Sequence, residues 1–429
     1  MDDLHDILDR GQQLHRPHPG AFDRLERRRR RKQRTRRLSG AAVALLVSGA
    51  AAWMLIPLGG LEHRSAAPVI DGATATRLGV AWTTGIGDSP TAPVVAGDLA
   101  FVGTGSGVLY AIDVGSGRVV WVGRLRGSIV APPAIHGDEV VVHTTSGTLA
   151  AFDAGCGTRG ATCTPAWTAD TGDDVGAPPS VLDGVVYVNA GDDRLVAFEG
   201  CSSGRCEPAW VGRVPAGGAP RWPAAPAAVD GWVWTVLGGD PVVFPARCDE
   251  VCRPAQRQFA GVMSVGPIVG DELVVLGSNS GYLYGFRTDC ADRCRAVWRA
   301  RADAPTAPAV AGGTVFVSGA PGGGLAAVPE DCRMSGAPCP PSWVGDIDGS
   351  PTSPVVVSNG VVYIGSSDGH LHAFPAICDE TCSASTVVKV GSSIGGIGVW
   401  GGRAILVTSI DGTMRAITVG GVAPTTTST

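Results

Sequence analysis

The chain has 429 residues, of which 44% are hydrophobic, 17% charged and 6% aromatic, with 62 Gly and 31 Pro. This length and apolar content exclude general disorder and allow a large core, and the Gly/Pro density points to many short strands and turns. The net charge of −5 is split: residues 1–37 hold 12 basic and 6 acidic residues, so the acidic remainder is excluded as a nucleic-acid binder.

Residues 1–37 are too few for a domain and read as a basic cytoplasmic tail. Leu4, Ile7 and Leu8 have helical spacing, as do Phe22 and Leu25. The run Arg24–Arg37 directly precedes 38–61, a stretch with no charged residue. That stretch is long enough to cross a bilayer as one helix, and the arginines favour a cytoplasmic flank. The expectation is a retained single-pass anchor in the cell membrane, amino terminus inside and the bulk of the chain outside. A signal peptide cut near Ala50–Ala52 is the competing reading, but its leading region would be 37 residues long. The Phe22/Leu25 pair and Arg run before one span resemble the tails of some actinobacterial membrane proteins linked to sigma factors. That resemblance implies an alternative role, a transmembrane sensor whose tail docks a cytosolic regulator.

Residues 62–77 read as a linker, and a repeat fills 78–418. Its cleanest copy is Ala92–Trp121, a Pro before an apolar triplet, a Gly turn, a β-rich run, a second turn and a Leu-x-Ala-aromatic run. Pro93, Pro132, Pro178, Pro226, Pro267, Pro308 and Pro354 mark seven copies with a mean period of 43.5 residues, and Gly396–Ile417 is an eighth copy without the Pro. Each copy has the pattern of a four-stranded antiparallel blade, and stacked blades avoid bare edges by closing radially. The eighth copy stops after three strands. The orphan segment Leu78–Gly85, with Trp82, supplies the missing outer strand, which makes an all-β propeller of eight blades closed by its amino-terminal strand. The polar residues 419–429 read as a disordered tail.

The first unit ends Ala111-Ile112-Asp113-Val114-Gly115-Ser116-Gly117-Arg118-Val119-Val120-Trp121. This resembles the tryptophan-docking motif of the quinoprotein-type, or PQQ-like, propellers. The resemblance covers about residues 78–418 and implies eight blades, with Trp82, Trp121, Trp167, Trp210, Trp298 and Trp343 packing between neighbours. The family contains both quinone-dependent dehydrogenases and non-catalytic scaffolds, among them the propeller lipoprotein of the outer-membrane assembly machine, so the motif speaks for fold rather than activity.

Twelve cysteines fall into six local pairs: Cys156/Cys163, Cys201/Cys206, Cys248/Cys252, Cys290/Cys294, Cys332/Cys339 and Cys378/Cys382. Each pair lies between the third and fourth strands of units two to seven. Even number, local spacing and an exported location point to disulfides, all projecting from one face. Zinc would need four converging ligands, and these spacings are not knuckles. Such short loops are expected to pin their own hairpin more than the whole fold.

Catalytic signals are few. A quinone site needs a carboxylate base, a Ca²⁺ cage and stacking partners, and family dehydrogenases often add an adjacent Cys-Cys disulfide, which is missing here. Asp173, Asp174, Asp192, Asp193, Asp346 and Asp348 all sit in Gly-rich segments, where turn geometry alone favours Asp. Neither quinone nor calcium is therefore expected. His370 and His372 alternate on a strand and face one side, which reads as a surface pair, with a metal-binding pair as the alternative. No nucleophile elbow or phosphate loop is present. One long connection, Val211–Pro226, carries Arg213, Arg221 and Trp222 and is expected opposite the cysteine hairpins, either as a stiff cover of the channel mouth or as a loop that anchors a protein partner in the cell envelope. The expected function is a non-catalytic, extracytoplasmic binding or scaffold module. The alternative is a quinone-dependent oxidoreductase.

Overall fold

Alternating small apolar and β-branched residues, cut by Gly turns about every ten residues, produce eight antiparallel sheets arranged as blades of a closed propeller among the described residues. This computed structural model describes residues 68–424 except 159, 173–175, 192, 215–223, 258–262, 291–293, 304, 321–323 and 334–335. The basic tail and the 38–61 stretch lie outside the described residues. Among the described residues, no helix is long and apolar enough to cross a membrane.

Blade 1 shows the pattern. Its strands, from channel to rim, are Val94–Ala96, Leu99–Gly103, Val108–Asp113 and Val119–Arg124. Tight turns join the first two strands of each blade. In blades 3 and 7 these are Asp183-Gly184 and Asn359-Gly360, with both residues of each turn at positive φ, as a type I′ hairpin requires. Blade 8 takes Ile394–Trp400, Ala404–Ser409 and Thr413–Val419 from the end of the chain and Leu78–Gly85 from the beginning. The last two pair antiparallel from Leu78↔Val419 to Gly85↔Thr413. Val419, read as tail, is thus the last residue of a strand.

The core is divided. Eight hydrophobic clusters each draw on two adjacent blades, one cluster for every interface around the ring. Outer-strand tryptophans fill three of them in the same way. Trp121 packs between Phe101 of its own blade and Phe152 of the next. Trp210 lies between Tyr187 and Phe244, and Trp343 between Phe316 and Phe374, all with ring centroids 5.8–6.3 Å apart. Two residues after each of these tryptophans stands a glycine. A Cβ there would come within 2.6 Å of the Phe152 ring at Gly123, 2.6 Å of Phe244 at Gly212 and 2.7 Å of Phe374 at Gly345. The Trp-Val-Gly triplet therefore encodes a slot for the phenylalanine of the following blade.

The disulfides do more than the sequence suggests. Cys156–Cys163, Cys201–Cys206, Cys248–Cys252, Cys290–Cys294, Cys332–Cys339 and Cys378–Cys382 are all bonded, with Cα atoms 5.4–6.2 Å apart. Each bond stays within one blade, yet the hairpin it closes lies on the outer edge of the blade before. Ala161–Cys163 of blade 2 adds a parallel strand to Val119–Arg124 of blade 1. Gly204–Arg205, Val251–Cys252 and Thr381–Cys382 do the same on blades 2, 3 and 6. Beside the first of these, the Cys206 N–H donates to the Thr168 carbonyl of blade 2 (2.8 Å). In blade 6 the Cys339 N–H donates to the Arg299 carbonyl of blade 5 (2.7 Å). Cys294 of blade 5 makes its contact through apolar packing: with Cys290 it joins the cluster that holds Trp234 and Val243 of blade 4.

One expectation is corrected here. These loops pin more than their own hairpins, because they are inter-blade clasps that cover outer-strand groups otherwise open to edge pairing. Their tips stay exposed, as at Ser202–Arg205, Asp249–Val251 and Asp379–Thr381, while their far cysteines turn inward. The second cysteine of five pairs, Cys163, Cys252, Cys294, Cys339 and Cys382, is buried against the neighbouring blade, and Cys206 is half-buried. The physical reason is that a half-cystine is a compact apolar group, and the rim of the preceding blade offers it apolar surface to cover.

Residues 68–77, read as linker, also pack on the ring. Ile70 and Ala75 are buried between blades 7 and 8, where the outer strand Thr386–Lys389 has no tryptophan. The Ile70 N–H donates to the Gly402 carbonyl (2.7 Å), and the Asn359 side-chain amide donates to the Ile70 carbonyl (3.2 Å).

Two tests follow from these interfaces. Deleting residues 78–85 removes the outer strand of blade 8, and the expected result is aggregation on gel filtration. A monomer with unchanged melting would show that closure does not need this strand. Gly345→Ala should lower unfolding stability by about 1–3 kcal/mol through overpacking. Phe374→Leu in that background should cost less than Phe374→Leu alone, and additive losses in a denaturant-melt double-mutant cycle would reject the slot.

Candidate binding surfaces

The propeller has two chemically different ends. One carries the tight turns between first and second strands, the cysteine hairpins and the entry of the chain at Pro68. The other carries the turns between second and third strands and the blade-to-blade connections. In several of the latter turns a hydroxyl caps its own loop. Thr104 Oγ1 donates to the Val108 carbonyl (3.1 Å) and accepts from its N–H (3.2 Å), and Thr144 treats Thr148 alike, with both distances 3.2 Å. These hydroxyls are structural.

Buried polar side chains mostly join neighbouring blades. The indole N–H groups of Trp82, Trp121, Trp298 and Trp343 donate to the carbonyls of Val114, Ala154, Pro329 and Ala376 in the next blade, at 2.8–3.2 Å. Trp167 differs, donating to Glu139 Oε2 within its own blade (3.0 Å). Beside Trp210, the Tyr187 hydroxyl reaches the next blade, donating to the Ala246 carbonyl (2.9 Å). Burial pushes this phenol up to about 12, and the Glu199 charge adds to the shift. Glu330, from the clasp of blade 6, accepts the N–H groups of Glu272 and Leu273 in blade 5, both at 2.9 Å.

Two histidines occupy the interior. His143 is 1% exposed; its Nδ1–H donates to the Ala177 carbonyl (3.1 Å), and Nε2 accepts from the Thr171 hydroxyl (3.0 Å). A neutral ring satisfies both partners, and desolvation lowers its pKa to about 4. His372 is also 1% exposed, which corrects the reading of His370 and His372 as a surface pair. His372 stacks on Phe374, and burial lowers its pKa against the pull of Asp368 and Asp348. Only His370 reaches the surface, 2.8 Å from Asp368. Hydrogen bonds from the Ser366 hydroxyl and then His370 bring Asp368 down to about 2.

The carboxylates singled out in the sequence do not form one site. Asp346 and Asp348 are exposed turn residues, and Asp193 lies 3.8 Å from Arg194. Asp173, Asp174 and Asp192 lie outside the described residues. Among the described residues, no three His, Cys, Asp or Glu side chains converge on a point. Calcium beside a quinone demands several converging oxygens, which Asp193, Asp346 and Asp348 by themselves do not supply. Cysteines such as Cys206 and Cys294 are consumed in their disulfides and offer no thiolate for a metal or a substrate. Of the expected interaction loop, Arg213 is an exposed residue at the end of the outer strand of blade 3, while Arg221 and Trp222 lie outside the described residues.

Three interface aromatics escaped the sequence reading. Trp234, on the second strand of blade 4, packs 5.7 Å from Phe286 of blade 5, because the outer strand of blade 4, Gln256–Arg257, carries no tryptophan. Trp400 donates from blade 8 to the Gly97 carbonyl of blade 1 (3.0 Å), and Tyr187 is described above. The doubled tryptophans of Gly231-Trp232-Val233-Trp234 were the available signal for the first.

Beside Tyr187 opens a cavity of about 290 Å³, lined by Leu182, Asp183, Val185, Gly231, Ala246 and Arg247 among others. A second, more polar hollow of about 240 Å³ lies by Asp170 and Arg205.

Comparison with known proteins places this architecture. A family model described as outer membrane protein assembly factor BamB, of the PQQ-repeat type, matches residues 65–160 and 158–377. Among solved structures, BamB from Moraxella catarrhalis is similar at 16% identity and TM-score 0.63, covering 80% of this chain and 99% of that one. The quinohemoprotein alcohol dehydrogenase of Comamonas testosteroni gives 13% identity and TM-score 0.62, with 84% and 79% covered. The computationally designed Ika8 protein gives 13% and 0.61, with 78% and 98% covered. At such identities the likeness is one of fold. A search of curated proteins found no match to the chain.

The buried histidines generate a pH dependence. A pKa depressed on folding means that the unfolded chain binds the extra proton first. Stability from neutral His143 is therefore complete above its ordinary value of 6.5 and is lost as pH falls towards about 4. The loss should reach about 3 kcal/mol, with His372 adding in the same direction. His143→Gln keeps a donor and an acceptor without titrating, so its thermal melting should fall less steeply across that window. Parallel profiles would reject the assignment.

Proposed function

The chain belongs to the PQQ-repeat propeller family described as outer membrane protein assembly factor BamB, and from that membership we propose a non-catalytic, extracytoplasmic binding or scaffold module, held at the cell membrane by residues 38–61. The observation that carries this reading is where the buried polar side chains go. His143, Tyr187, Glu330 and the indoles of Trp82, Trp121, Trp298, Trp343 and Trp400 are engaged in joining one blade to the next, which gives a rigid frame. Rigid frames favour recognition, because a pre-ordered surface loses little entropy on docking.

Six disulfides support an oxidising compartment, and the arginine run before 38–61 supports a cytoplasmic amino terminus. The partner is a protein of the cell envelope, in keeping with membership of a family of assembly factors. The connection Val211–Pro226, with Arg213, Arg221 and Trp222, supplies one anchor.

Protease added to spheroplasts should cut beyond residue 64 and spare residues 1–37; protection of the propeller would reverse the topology. Trp222→Ala should weaken partner capture about thirtyfold while leaving melting unchanged, since a buried aromatic anchor is worth roughly 2 kcal/mol. Equal capture would reduce the loop to a cover. If the protein, given quinone and Ca²⁺, reduces an electron acceptor with alcohol or sugar, it is an oxidoreductase and the scaffold reading fails.

A further inference from the structure

The cavity between blades 3 and 4 has a filled counterpart. By repeat position, Asp183, Val185 and Tyr187 of blade 3 correspond to Asn359, Val361 and Tyr363 of blade 7, and Ala246 of blade 4 to Val419 of blade 8. Asp183 and Asn359 even share the same left-handed backbone, each at φ 49°. At blades 7 and 8, Ile70 and Ala75 of this chain pack against Val361, Tyr363 and Val419. The segment is shaped by Asp71, whose Oδ1 accepts the N–H groups of Ala73 (3.0 Å) and Thr74 (2.9 Å). At blades 3 and 4 no described segment fills that place, and about 290 Å³ remains open beside Val185, Tyr187 and Ala246.

We propose that this groove docks a peptide of a protein partner in which an aliphatic side chain stands next to a basic one. The proposal deepens the binding-module reading and rests on it. The aliphatic residue follows from Ile70, which shows what the same apolar walls accept. The basic residue follows from the one changed rim position. Asn359 donates to the Ile70 carbonyl (3.2 Å), whereas an ionised Asp183 can only accept. The occupant must therefore bring a donor, and a lysine or arginine brings charge as well. Asp183 forms no ion pair with a described residue, while the neighbouring Arg247 is directed to Glu199 at 3.8 Å.

The probe is a labelled capped peptide, Pro-Val-Ile-Lys-Gly-Ala-Thr-Ala, copied from residues 68–75 with lysine in place of Asp71. Titrated against the full-length, disulfide-intact protein and followed by fluorescence anisotropy, it should bind saturably at one site. Exchanging its Ile for Ser should weaken binding about tenfold or more, the worth of one buried aliphatic side chain. Asp183→Asn should weaken the lysine peptide about fivefold and leave the parent aspartate peptide no weaker. Ala246→Trp fills the groove and should abolish binding; should that variant fail to fold, the exposed Asp183→Asn change decides alone. No binding at millimolar peptide, or equal binding to Asp183→Asn, overturns the proposal. Self-association of the protein that Ala246→Trp removes would give the groove to a second copy instead, which also overturns it. Capture of envelope partners through Trp222 is a separate readout, so the groove can fail while the module reading stands.

Discussion

Everything in this propeller depends on the packing of one blade against the next. A single four-stranded sheet with two apolar faces cannot be stable alone, because each face needs a partner. Here every apolar cluster is shared by two blades, so none has a private core. The Trp-Val-Gly slot shows how this is written locally. Indole supplies area, valine keeps the strand extended, and glycine leaves room for the neighbour's phenylalanine. Where the slot is missing, something else takes its place: Trp234 at blade 4, and Ile70 with Ala75 at blade 7. The ring tolerates variation in which residue packs at an interface.

Radial closure leaves the outer strands as the remaining exposed edges. Among the described residues, five disulfide hairpins hydrogen-bond to the preceding blade, and four of these add a short parallel strand there. The sixth, closed by Cys290 and Cys294, packs on it through apolar contact. Parallel pairing of two or three residues is weak by itself. A covalent loop of four to seven residues' separation holds the added strand in extended form before it pairs. The clasp thus combines a local covalent constraint with a non-local contact. Blade 8 has no such hairpin to lay on blade 7, and Val387 on that outer strand is correspondingly exposed.

Much of this fold was legible in the sequence because its signals are periodic and local. A recurring Pro, a Gly turn, alternation and a terminal Trp specify a blade, and a three-stranded last unit specifies closure by Leu78–Gly85. The cysteine pairing was legible for the same reason. What escaped was non-local. Nothing near Cys163, Cys206 or Cys382 says that its hairpin lies on another blade, nothing near Cys294 says that it packs against Trp234, and nothing near Ile70 says that it fills a gap beside residue 361. His372 looked like a surface residue because alternation with His370 fixes a shared side of the strand, not the depth at which that side is covered. The binding surfaces were the least legible. A cavity such as that beside Tyr187 is defined by the mismatch between two repeats, visible only once they are superposed in space.

The direction of the clasps has a consequence for biogenesis. Each observed hairpin reaches back to a blade that is earlier in the chain, never forward. Because synthesis runs from the amino terminus, each of these hairpins is made after the edge that it covers, so blades can be clasped one after another in chain order. The outer strand of blade 8 is the exception. Leu78–Gly85 emerges first and waits for Thr413–Val419, which emerges last. The ring cannot close until Thr413–Val419, its last strand in the chain, has been made.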